Sequence, residues 1–228
     1  MCSPAEKSMK DLLILGAGGF GHMIQETAKL LGYEKAVFLD DAVRDPDVVG
    51  KCCDYESFLG QYDTAVAALG DNNMRLHWTE KLMEAGYDVP AIIHPSAVVS
   101  PSASVGKGSF IMQRAIVNTH TVVEHGVLIN SGAVVDHDSY VERGAHIGLG
   151  SVVKANCRIA SKVKVEAGEV IFSTRRKIDG VEDRNLEDAI YAFGFGNRCS
   201  YVKPFGAGHI NETYAVYMPG QEGDELSY

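Results

Sequence analysis

A glycine-rich stretch and a pair of carboxylates are the first residues of this sequence that could do chemistry. GAGGFG occupies residues 16–21, and Asp40 and Asp41 follow about 20 positions on, the spacing of a dinucleotide-binding motif. Glycines let a phosphate approach the backbone N–H groups of a helix N-terminus, where the helix dipole favours negative charge. Carboxylates at the end of the next strand accept hydrogen bonds from ribose hydroxyls or a base. The pattern indicates nucleotide binding; a glycine-rich turn that serves only helix–strand packing is the alternative.

Histidines are the second group of candidate residues. An imidazole has an unperturbed pKa of about 6.5, so it exchanges protons near neutral pH, and it is also a common zinc ligand. An outward-facing histidine is nevertheless more often a solvated surface residue than a catalyst. Residues 94–171 contain five of them: His94, His120, His125, His137 and His146.

The glycine-rich stretch needs a strand before it and a helix after it, and the sequence predicts both. Residues 11–15 form a short apolar strand, a helical pattern follows the glycines, and residues 35–41 form a second strand. Alternating strands and helices over residues 10–93 predict an α/β half-Rossmann domain, which suits a mononucleotide-type ligand better than NAD. Gly70 falls on the ligand edge of such a sheet. Further strands are predicted at 62–69 and 88–93, and helices at 54–61 and 73–85.

A repeat of six residues runs through residues 94–171. The last residue of every six is valine or isoleucine, and most sixes carry a small residue two positions earlier. A fixed six-residue period is typical of a parallel β-helix, in which three sixes make one triangular coil. We predict a left-handed parallel β-helix whose aliphatic ladder fills the shaft. The ladder consists of Val99, Val105, Ile111, Val117, Val123, Ile129, Val135, Val141, Ile147, Val153, Ile159, Val165 and Ile171.

The predicted coil also bears on a zinc site. Tetrahedral zinc needs converging nitrogens. His120 and His125 are five residues apart, and His125 and His137 are twelve apart, which places the latter pair on different faces of the coil. Convergence would require an interface between subunits, as in the hexapeptide carbonic anhydrases, and those enzymes have no nucleotide-type first domain. We therefore expect no metal.

Composition and charge exclude several classes of protein. The chain has 228 residues and a net charge of −9, so we expect no nucleic-acid partner, because basic surfaces bind phosphates. The first ten residues are polar, unlike a signal peptide, and no apolar run is long enough to span a bilayer. The five cysteines form no C-x-x-C pair, which suggests reduced thiols. We predict a cytoplasmic location.

The order of these segments resembles that of a known family. The informative motifs are GAGGFG at 16–21, FLDD at 38–41, ALGDNNMR at 68–75, IIHPSAVVSPSA at 92–103 and LINSGAVVDHDSYV at 128–141. On these motifs the chain resembles the bacterial sialic-acid O-acetyltransferases and UDP-4-amino-sugar N-acetyltransferases. The resemblance implies that the first domain holds a UDP-sugar and that the coil holds acetyl-CoA between the subunits of a homotrimer. The implied reaction moves an acetyl group to an amino or hydroxyl group of the sugar.

The same resemblance assigns roles to individual residues. His137 matches the family's general base, and Asp138 would orient its ring and raise its basicity. His146 and Ala167 fall where relatives contact acetyl-CoA. The residues implied to contact the nucleotide sugar are Gly18, Gly19, Phe20, Asp40, Asp41, Gly70 and Asn130.

Residues 172–228 depart from the acetyltransferase pattern. We predict a short α+β tail there, with a helix at 185–193 followed by a β-hairpin. The segment FGAGHINETY at 205–214 resembles the glycine-rich phosphate loop of phosphotransferase-type kinases, including N-acetylhexosamine kinases. This second resemblance implies a kinase-like polypeptide that continues the tail. Since the coil is short at this end, the alternative function is a trimeric nucleotide-sugar-binding module with impaired acetyl-CoA binding.

Overall fold

The computed structural model describes residues 11–172 together with two strands of the tail, 201–204 and 214–217. Close packing divides the chain into two units, Met1–Val170 and Ile171–Tyr228. In the described residues, no helix is both long and apolar enough to cross a bilayer.

The first unit begins with β1 (Leu12–Leu15), α1 (Gly19–Leu30), β2 (Ala36–Leu39), β3 (Val48–Gly50), a 3₁₀-helix (Cys52–Phe58), β4 (Thr64–Ala67) and α2 (Asn72–Glu84). The strands form a parallel sheet in the order β3-β2-β1-β4. Every residue of β1, β2 and β4 is buried, as expected of parallel strands that are covered on both faces. The predicted α/β half-Rossmann architecture is confirmed.

One predicted strand is only partly confirmed. The sequence predicts a strand of this sheet at 88–93, but Asp88 makes only an isolated bridge to Thr64, and the strand at Ile92–Ile93 pairs with the coil instead. Pro90 has no backbone N–H and cannot extend a ladder. The fourth strand is instead β3, which pairs with β2 at the opposite edge. Its three residues are too few to give a readable period in the sequence.

The rest of the first unit is a coil of two-residue strands stacked in three parallel ladders, as the sequence predicts. Side 1 consists of β5 (Ile92–Ile93), β8 (Phe110–Ile111), β11 (Leu128–Ile129), β14 (His146–Ile147) and β17 (Lys164–Val165). Side 2 consists of β6 (Val98–Val99), β9 (Ile116–Val117), β12 (Val134–Val135), β15 (Val152–Val153) and β18 (Val170–Ile171). Side 3 consists of β7 (Ser104–Val105), β10 (Val122–Val123), β13 (Tyr140–Val141) and β16 (Arg158–Ile159). We name each corner by the two sides that it joins.

The aliphatic ladder fills the shaft of this coil. Eleven of its thirteen residues, from Ile111 to Ile171, are buried, whereas Val99 and Val105 remain partly exposed. These two lie in the first coil, where neighbours cover them from one side only. The repeat therefore supplies a hydrophobic core of its own.

The corners of the coil impose a second regularity. The third residue of each six, from Gly108 to Gly168, has a positive φ, and glycine occupies six of these eleven positions. Glycine, asparagine and aspartate tolerate this left-handed conformation best. Aspartate is among the residues that tolerate this corner, so Asp138 has a structural reason to occupy it beside its predicted catalytic one. The other non-glycine residues at such corners are Arg114, His120, Asn156 and Lys162.

The α/β part packs on side 1 of the coil. Ile92, Phe110 and Leu128 follow one another along the outer face of side 1 and join a core cluster of the α/β sheet. The Phe20 ring meets the Phe110 ring edge-on, with 5.2 Å between their centroids. The next residue along this outer ladder is His146. The joint between the two parts therefore ends beside a predicted site residue.

The described part of the second unit is a β-hairpin. β19 (Tyr201–Pro204) and β20 (Tyr214–Tyr217) pair antiparallel, with Tyr201 opposite Tyr217. The predicted hairpin is confirmed. The predicted helix at 185–193 and the glycine-rich loop between the two strands lie outside the described residues.

Candidate active site

The glycine-rich turn contains glycines of two kinds. Gly16 has a φ of 100°, and a Cβ on Gly21 would overlap the carbonyl oxygen of Gly16. These two glycines are required by the turn itself. Gly18 and Gly19 are exposed, and a Cβ on either would meet nothing within 4 Å. Internal packing therefore does not explain why residues 18 and 19 are glycines. The absence of side chains there leaves the backbone at the start of α1 open to a ligand.

Asp40 fastens this turn to the end of β2. Its carboxylate accepts hydrogen bonds from the backbone N–H groups of Ala17, Ala42 and Val43, each at 2.8 Å. Burial alone would raise the pKa of Asp40, but these N–H groups outweigh it and hold the pKa below its ordinary value. Sequence reasoning missed this anchoring role. The neighbouring Asp41 is exposed and accepts a 3.2 Å bond from the first N–H of the 3₁₀-helix.

Gly70 lies beside the glycine-rich turn. β4 pairs with β1, so the loop after β4 and the turn after β1 are neighbours at the carboxyl edge of the sheet, where ligands of such folds bind. Gly70 is exposed, and a Cβ on it would meet nothing within 4 Å. Three glycines without a packing role, Gly18, Gly19 and Gly70, thus border one edge of the sheet.

His137 and Asp138 form a pair at the 2–3 corner. His137 Nδ1 lies 2.7 Å from Asp138 Oδ2. Because a carboxylate only accepts, Nδ1 carries the proton and Nε2 keeps a free lone pair. The hydrogen bond to Asp138 raises the pKa of His137 above its ordinary value, and the same bond lowers the pKa of Asp138. This is the arrangement of a general base and its orienting carboxylate.

His120, which sequence reasoning left unassigned, lies one coil below this pair. Its Nδ1 is 3.4 Å from Asp138 Oδ1, the oxygen that His137 does not use. The two histidines are 17 positions apart, so the sequence gives no sign of this contact until the coil is closed at 18 residues per turn. Asp138 therefore accepts from one histidine at short range and attracts a second.

Asn130 and His146 form another pair, at the 1–2 corner and the adjoining face of side 1. Asn130 Oδ1 accepts from the Ser131 N–H at 2.8 Å, which turns Asn130 Nδ2 toward His146 Nε2 at 3.2 Å. Since Nδ2 only donates, Nε2 accepts and the ring proton lies on Nδ1. Burial, and then the Arg75 cation, lower the pKa of His146 to about 4. The ring is therefore neutral at pH 7, and its buried Nδ1 has no hydrogen-bond partner among the described residues.

One chain does not bring these two pairs together. The 2–3 corner is the vertex of the triangular coil opposite side 1, so His137 and His146 lie on opposite sides of the shaft. Buried ladder residues such as Val135 and Ile147 fill the space between them. The residues predicted for catalysis and for acetyl-CoA binding thus belong to different surfaces of one protomer.

Phe20 and Ala167 complete the set of predicted residues. The Phe20 ring is partly buried against Phe110, which leaves its backbone for any ligand contact. Ala167 is exposed at the 1–2 corner, the same corner as Asn130. A Cβ on Gly148 would approach Ala167 N to 2.9 Å, so a glycine there lets the next coil pass closely.

A surface cleft of ≈ 590 Å³ lies elsewhere on the coil, at the 3–1 corner. Its lining includes Lys107, His125 and Arg143 but none of the predicted site residues. We therefore do not assign this cleft to the candidate site. Within the described residues, no cluster of three or more histidine, cysteine, aspartate or glutamate side chains could hold a metal ion.

The fold and these pairs define a hexapeptide-repeat protein with a nucleotide-type α/β domain. A profile of the PglD N-terminal domain matches residues 11–82. A curated relative, the UDP-N-acetylbacillosamine N-acetyltransferase of Bacillus subtilis (strain 168), is 32% identical over 117 residues, which are 46% of this chain and 52% of the relative. The match thus spans about half the length of that relative.

Solved structures extend the likeness over most of the chain. The acetyltransferase domain of PglB from Neisseria gonorrhoeae FA1090, in complex with acetyl coenzyme A, is 35% identical with a TM-score of 0.69, covering 72% of this chain and 83% of that one. PerB from Caulobacter crescentus, in complex with CoA and GDP-perosamine, is 28% identical with a TM-score of 0.65, covering 72% and 89%. The chain belongs to the hexapeptide-repeat sugar acetyltransferase family, and the family predicted from the sequence is confirmed.

Proposed function

We propose that this chain transfers an acetyl group from acetyl-CoA to an amino or hydroxyl group of a nucleotide-linked amino sugar or sialic-acid-like sugar. The observation that carries the proposal is the 2.7 Å contact between His137 Nδ1 and Asp138 Oδ2, which leaves Nε2 free on the outside of the coil. The PglB relative binds acetyl-CoA and the PerB relative binds CoA with a nucleotide sugar. We propose that this chain likewise binds acetyl-CoA and a nucleotide sugar.

His137 would act as the general base. Its Nε2 takes a proton from the sugar amine or hydroxyl as that group forms a bond to the thioester carbonyl carbon. The bond from that carbon to sulfur then breaks, and the CoA thiol leaves with a proton. Asp138 holds the ring in the tautomer that frees Nε2 and stabilises the imidazolium once it forms.

The carboxyl edge of the α/β sheet would hold the nucleotide. Gly18 and Gly19 leave the N-terminus of α1 open to a diphosphate, and Gly70 leaves the neighbouring loop open as well. Asn130 and His146, which contact each other at the 1–2 corner and the adjoining face of side 1, would hold the reacting end. The predicted contacts of Phe20, Asp40, Asp41 and Ala167 stay predictions.

We also propose that the active protein is a homotrimer built on side 2. In one chain the middle three residues of the outer ladder on side 2 are partly exposed, and Val98 and Val170 are 61% and 41% exposed. Contiguous apolar surface of this kind is typical of an interface. The equivalent ladder on side 3 is mixed: Ser104, Val122, Tyr140 and Arg158. The outer ladder of side 2 is Val98, Ile116, Val134, Val152 and Val170.

A trimer of this kind would also complete the site. The two edges of side 2 are the 2–3 corner, which carries His137, and the 1–2 corner, which carries Asn130 beside His146. If three copies turn side 2 toward a common axis, each 2–3 corner adjoins the 1–2 corner of the next copy. The base of one protomer then faces the acetyl-CoA and sugar residues of its neighbour, which one chain keeps apart.

The test is turnover with acetyl-CoA and UDP- or GDP-linked 4-amino sugars, followed as release of free thiol. Thiol release that depends on the sugar supports the proposal, and its absence with every sugar contradicts it. Titration calorimetry distinguishes the acetyltransferase from the alternative, a nucleotide-sugar-binding module. Binding of the nucleotide sugar without binding of acetyl-CoA favours the module. The cytoplasmic location and a kinase-like continuation of the tail stay predictions.

The two kinds of glycine in the turn allow a matched pair of variants. Gly19→Ala places a methyl group in open space, so we expect unchanged stability and weaker nucleotide-sugar binding, by about tenfold, because a phosphate no longer reaches the backbone. Gly21→Ala forces its Cβ onto Gly16 and is expected to lower the free energy of unfolding by about 1–3 kcal/mol. Thermal melts and calorimetry with the nucleotide sugar measure both effects. Nucleotide-sugar affinity equal to wild type in Gly19→Ala would rule out ligand contact at that position.

Asp138→Asn tests the orienting carboxylate through its effect on pH dependence. The base works only when His137 is neutral, and Asp138 raises the pKa of His137, so the acid limb of activity should lie above about pH 6.5. In Asp138→Asn the pKa of His137 returns toward that value. We expect the acid limb of the kcat profile to move to lower pH while its plateau falls roughly 10- to 100-fold, part of the 10²–10⁴ that a general base supplies.

The matched control for this profile is His120→Asn. It removes the longer 3.4 Å contact to Asp138 and keeps a residue that tolerates the left-handed corner. We expect its acid limb to coincide with that of the wild type. An acid limb that stays in place in Asp138→Asn would show that another group titrates.

A further inference from the structure

Arg75 ties α2 to the coil from a fully buried position. It is the largest of the fully buried side chains in the described part of the chain. Its Nε donates to the carbonyl of Gly126 at 2.9 Å, and Nη2 donates to the carbonyls of Gly144 at 2.9 Å and Ala145 at 3.2 Å. Gly126 and Gly144 are equivalent corner residues one coil apart, and Ala145 directly precedes His146. The guanidinium therefore spans two turns of the coil just below a candidate site residue.

The same guanidinium holds the loop after β4. Nη1 donates to the carbonyls of Leu69 at 3.1 Å and Gly70 at 3.3 Å, and Nη2 also donates to Asn72 Oδ1 at 2.9 Å. These six contacts involve all three nitrogens of the guanidinium, and the Arg75 side chain has no exposed surface. Arg75 thus has no donor left for a substrate and would act through the groups that it holds.

The chemistry of its partners distinguishes Arg75 from a simple packing residue. Every acceptor is a neutral oxygen, and no carboxylate among the described residues pairs with the cation. Burial lowers the pKa of Arg75 to about 10, and the charge of Asp71, which is not in ion-pair contact, offsets this only in part. A buried cation without an ion-pair partner is destabilising, so an apolar side chain of similar volume would be the more stable choice for packing alone. A planar fork of five donors can instead fix several carbonyls in one geometry. Its arrangement therefore points to positioning.

The two sides of this contact are not equally rigid. The coil corner is held by its own ladder, with Leu128 N bonded to the Ala145 carbonyl at 2.9 Å and Gly144 N to the His125 carbonyl at 3.1 Å. For the carbonyls of Leu69 and Gly70, Arg75 is the donor among the described residues. The coil is thus the fixed reference, and the loop is the part that depends on Arg75.

We propose that Arg75 is a positioning residue that holds the Leu69–Gly70 edge of the nucleotide-sugar site in register with the coil corner that leads into His146. The inference rests on the proposed function and adds to it a residue that couples the two substrate sites. Loss of the Arg75 guanidinium should displace the Leu69–Gly70 loop of the nucleotide-sugar site. The coil corner should stay in place, because its own backbone hydrogen bonds hold it.

Arg75→Lys is the informative variant, because it keeps a cation while a single ammonium cannot reach both the loop and the corner. We expect the KM for the nucleotide sugar to rise about tenfold and kcat to fall by a similar factor, since small misplacements of a bound group are costly. The KM for acetyl-CoA should stay within about twofold of the wild type. This split between the two substrates is the expected signature of a positioning role.

Leu76→Ala is the matched control. Leu76 packs against Gly126 and Gly144 at the same joint, but its side chain has no hydrogen-bond donor for the loop carbonyls. We expect it to lower the melting temperature and leave both KM values unchanged. If Arg75→Lys behaves in the same way, Arg75 is only structural and the inference is wrong.

Hydrogen exchange keeps this test separate from the proposed function. Without any ligand, amides of residues 68–72 should exchange faster in Arg75→Lys than in the wild type or Leu76→Ala. Equal exchange in all three proteins would overturn the positioning role. If Arg75→Lys exchanges faster but the wild-type protein acetylates no sugar, the positioning role of Arg75 stands. The acetyltransferase proposal is then contradicted instead.

Discussion

Replacing His137 by alanine is expected to lower kcat for acetyl transfer by about 10²–10⁴-fold, the usual contribution of a placed general base. The KM values for both substrates should change little, since His137 is exposed on the corner and the proposed contacts to nucleotide and CoA come from other residues. Steady-state kinetics of thiol release measure the effect. The residual rate should also lose the acid limb that the wild type shows.

The control for this variant is His125→Ala. His125 is another corner histidine of the coil, but its Nε2 lies 3.2 Å from Glu80 Oε1 on α2, away from both candidate pairs. We expect His125→Ala to keep at least half of the wild-type kcat, because it touches no proposed substrate contact. Full activity in His137→Ala, or an equal loss in His125→Ala, would remove His137 as the base.

Replacing Val134 by aspartate is expected to convert the proposed homotrimer into monomers and to abolish turnover. Val134 stands at the centre of the outer ladder of side 2, between Ile116 and Val152. A carboxylate buried there without a partner costs about 3–5 kcal/mol in each of three copies. Light scattering after gel filtration gives the mass, and thiol release gives the activity. Both should fall together, because the proposed site needs residues from two protomers.

Val122→Asp provides the matched control. Val122 holds the same position of its six on side 3, is also partly exposed, and lies between Ser104 and Tyr140 rather than in an aliphatic row. We expect this variant to remain trimeric and active. A trimeric Val134→Asp would disprove side 2 as the interface, and an active monomer would disprove a shared site.

Local patterns explain why so much of the fold follows from the sequence. Each six repeats the same short strand and the same corner, so thirteen aliphatic positions all predict one architecture, and eleven of them are buried as expected. The glycine-rich turn and its two strands are likewise set by a few neighbouring residues. The three-residue β3 was too short to predict, and the strand predicted at 88–93 is interrupted at Pro90, so that only a bridge at Asp88 and the strand Ile92–Ile93 form.

The residues of the candidate site divide in the same way. The His137–Asp138 pair is adjacent in the chain, and its hydrogen bond follows from that neighbourhood. The Asn130–His146 contact joins residues 16 positions apart and needs the coil to form it. Arg75 could have been suspected from its spacing to Thr79 and Leu82 on one helical face, all of them buried. Hydrophobic periodicity counts only apolar residues, so it does not identify a positively charged residue on the buried face of a helix.

By itself, the sequence determined the α/β turn and the coil and predicted the His137–Asp138 pair, because each depends on residues close together in a repeating or motif-bearing stretch. Only the tertiary structure decided how these parts are arranged. It placed His137 and His146 on opposite sides of a filled shaft, and it put Arg75 between the Gly70 loop and the Gly144 corner. The contacts of Arg75 join residues up to 70 positions apart. These contacts depend on how the coil and the α/β domain pack together, so no local sequence pattern predicts them.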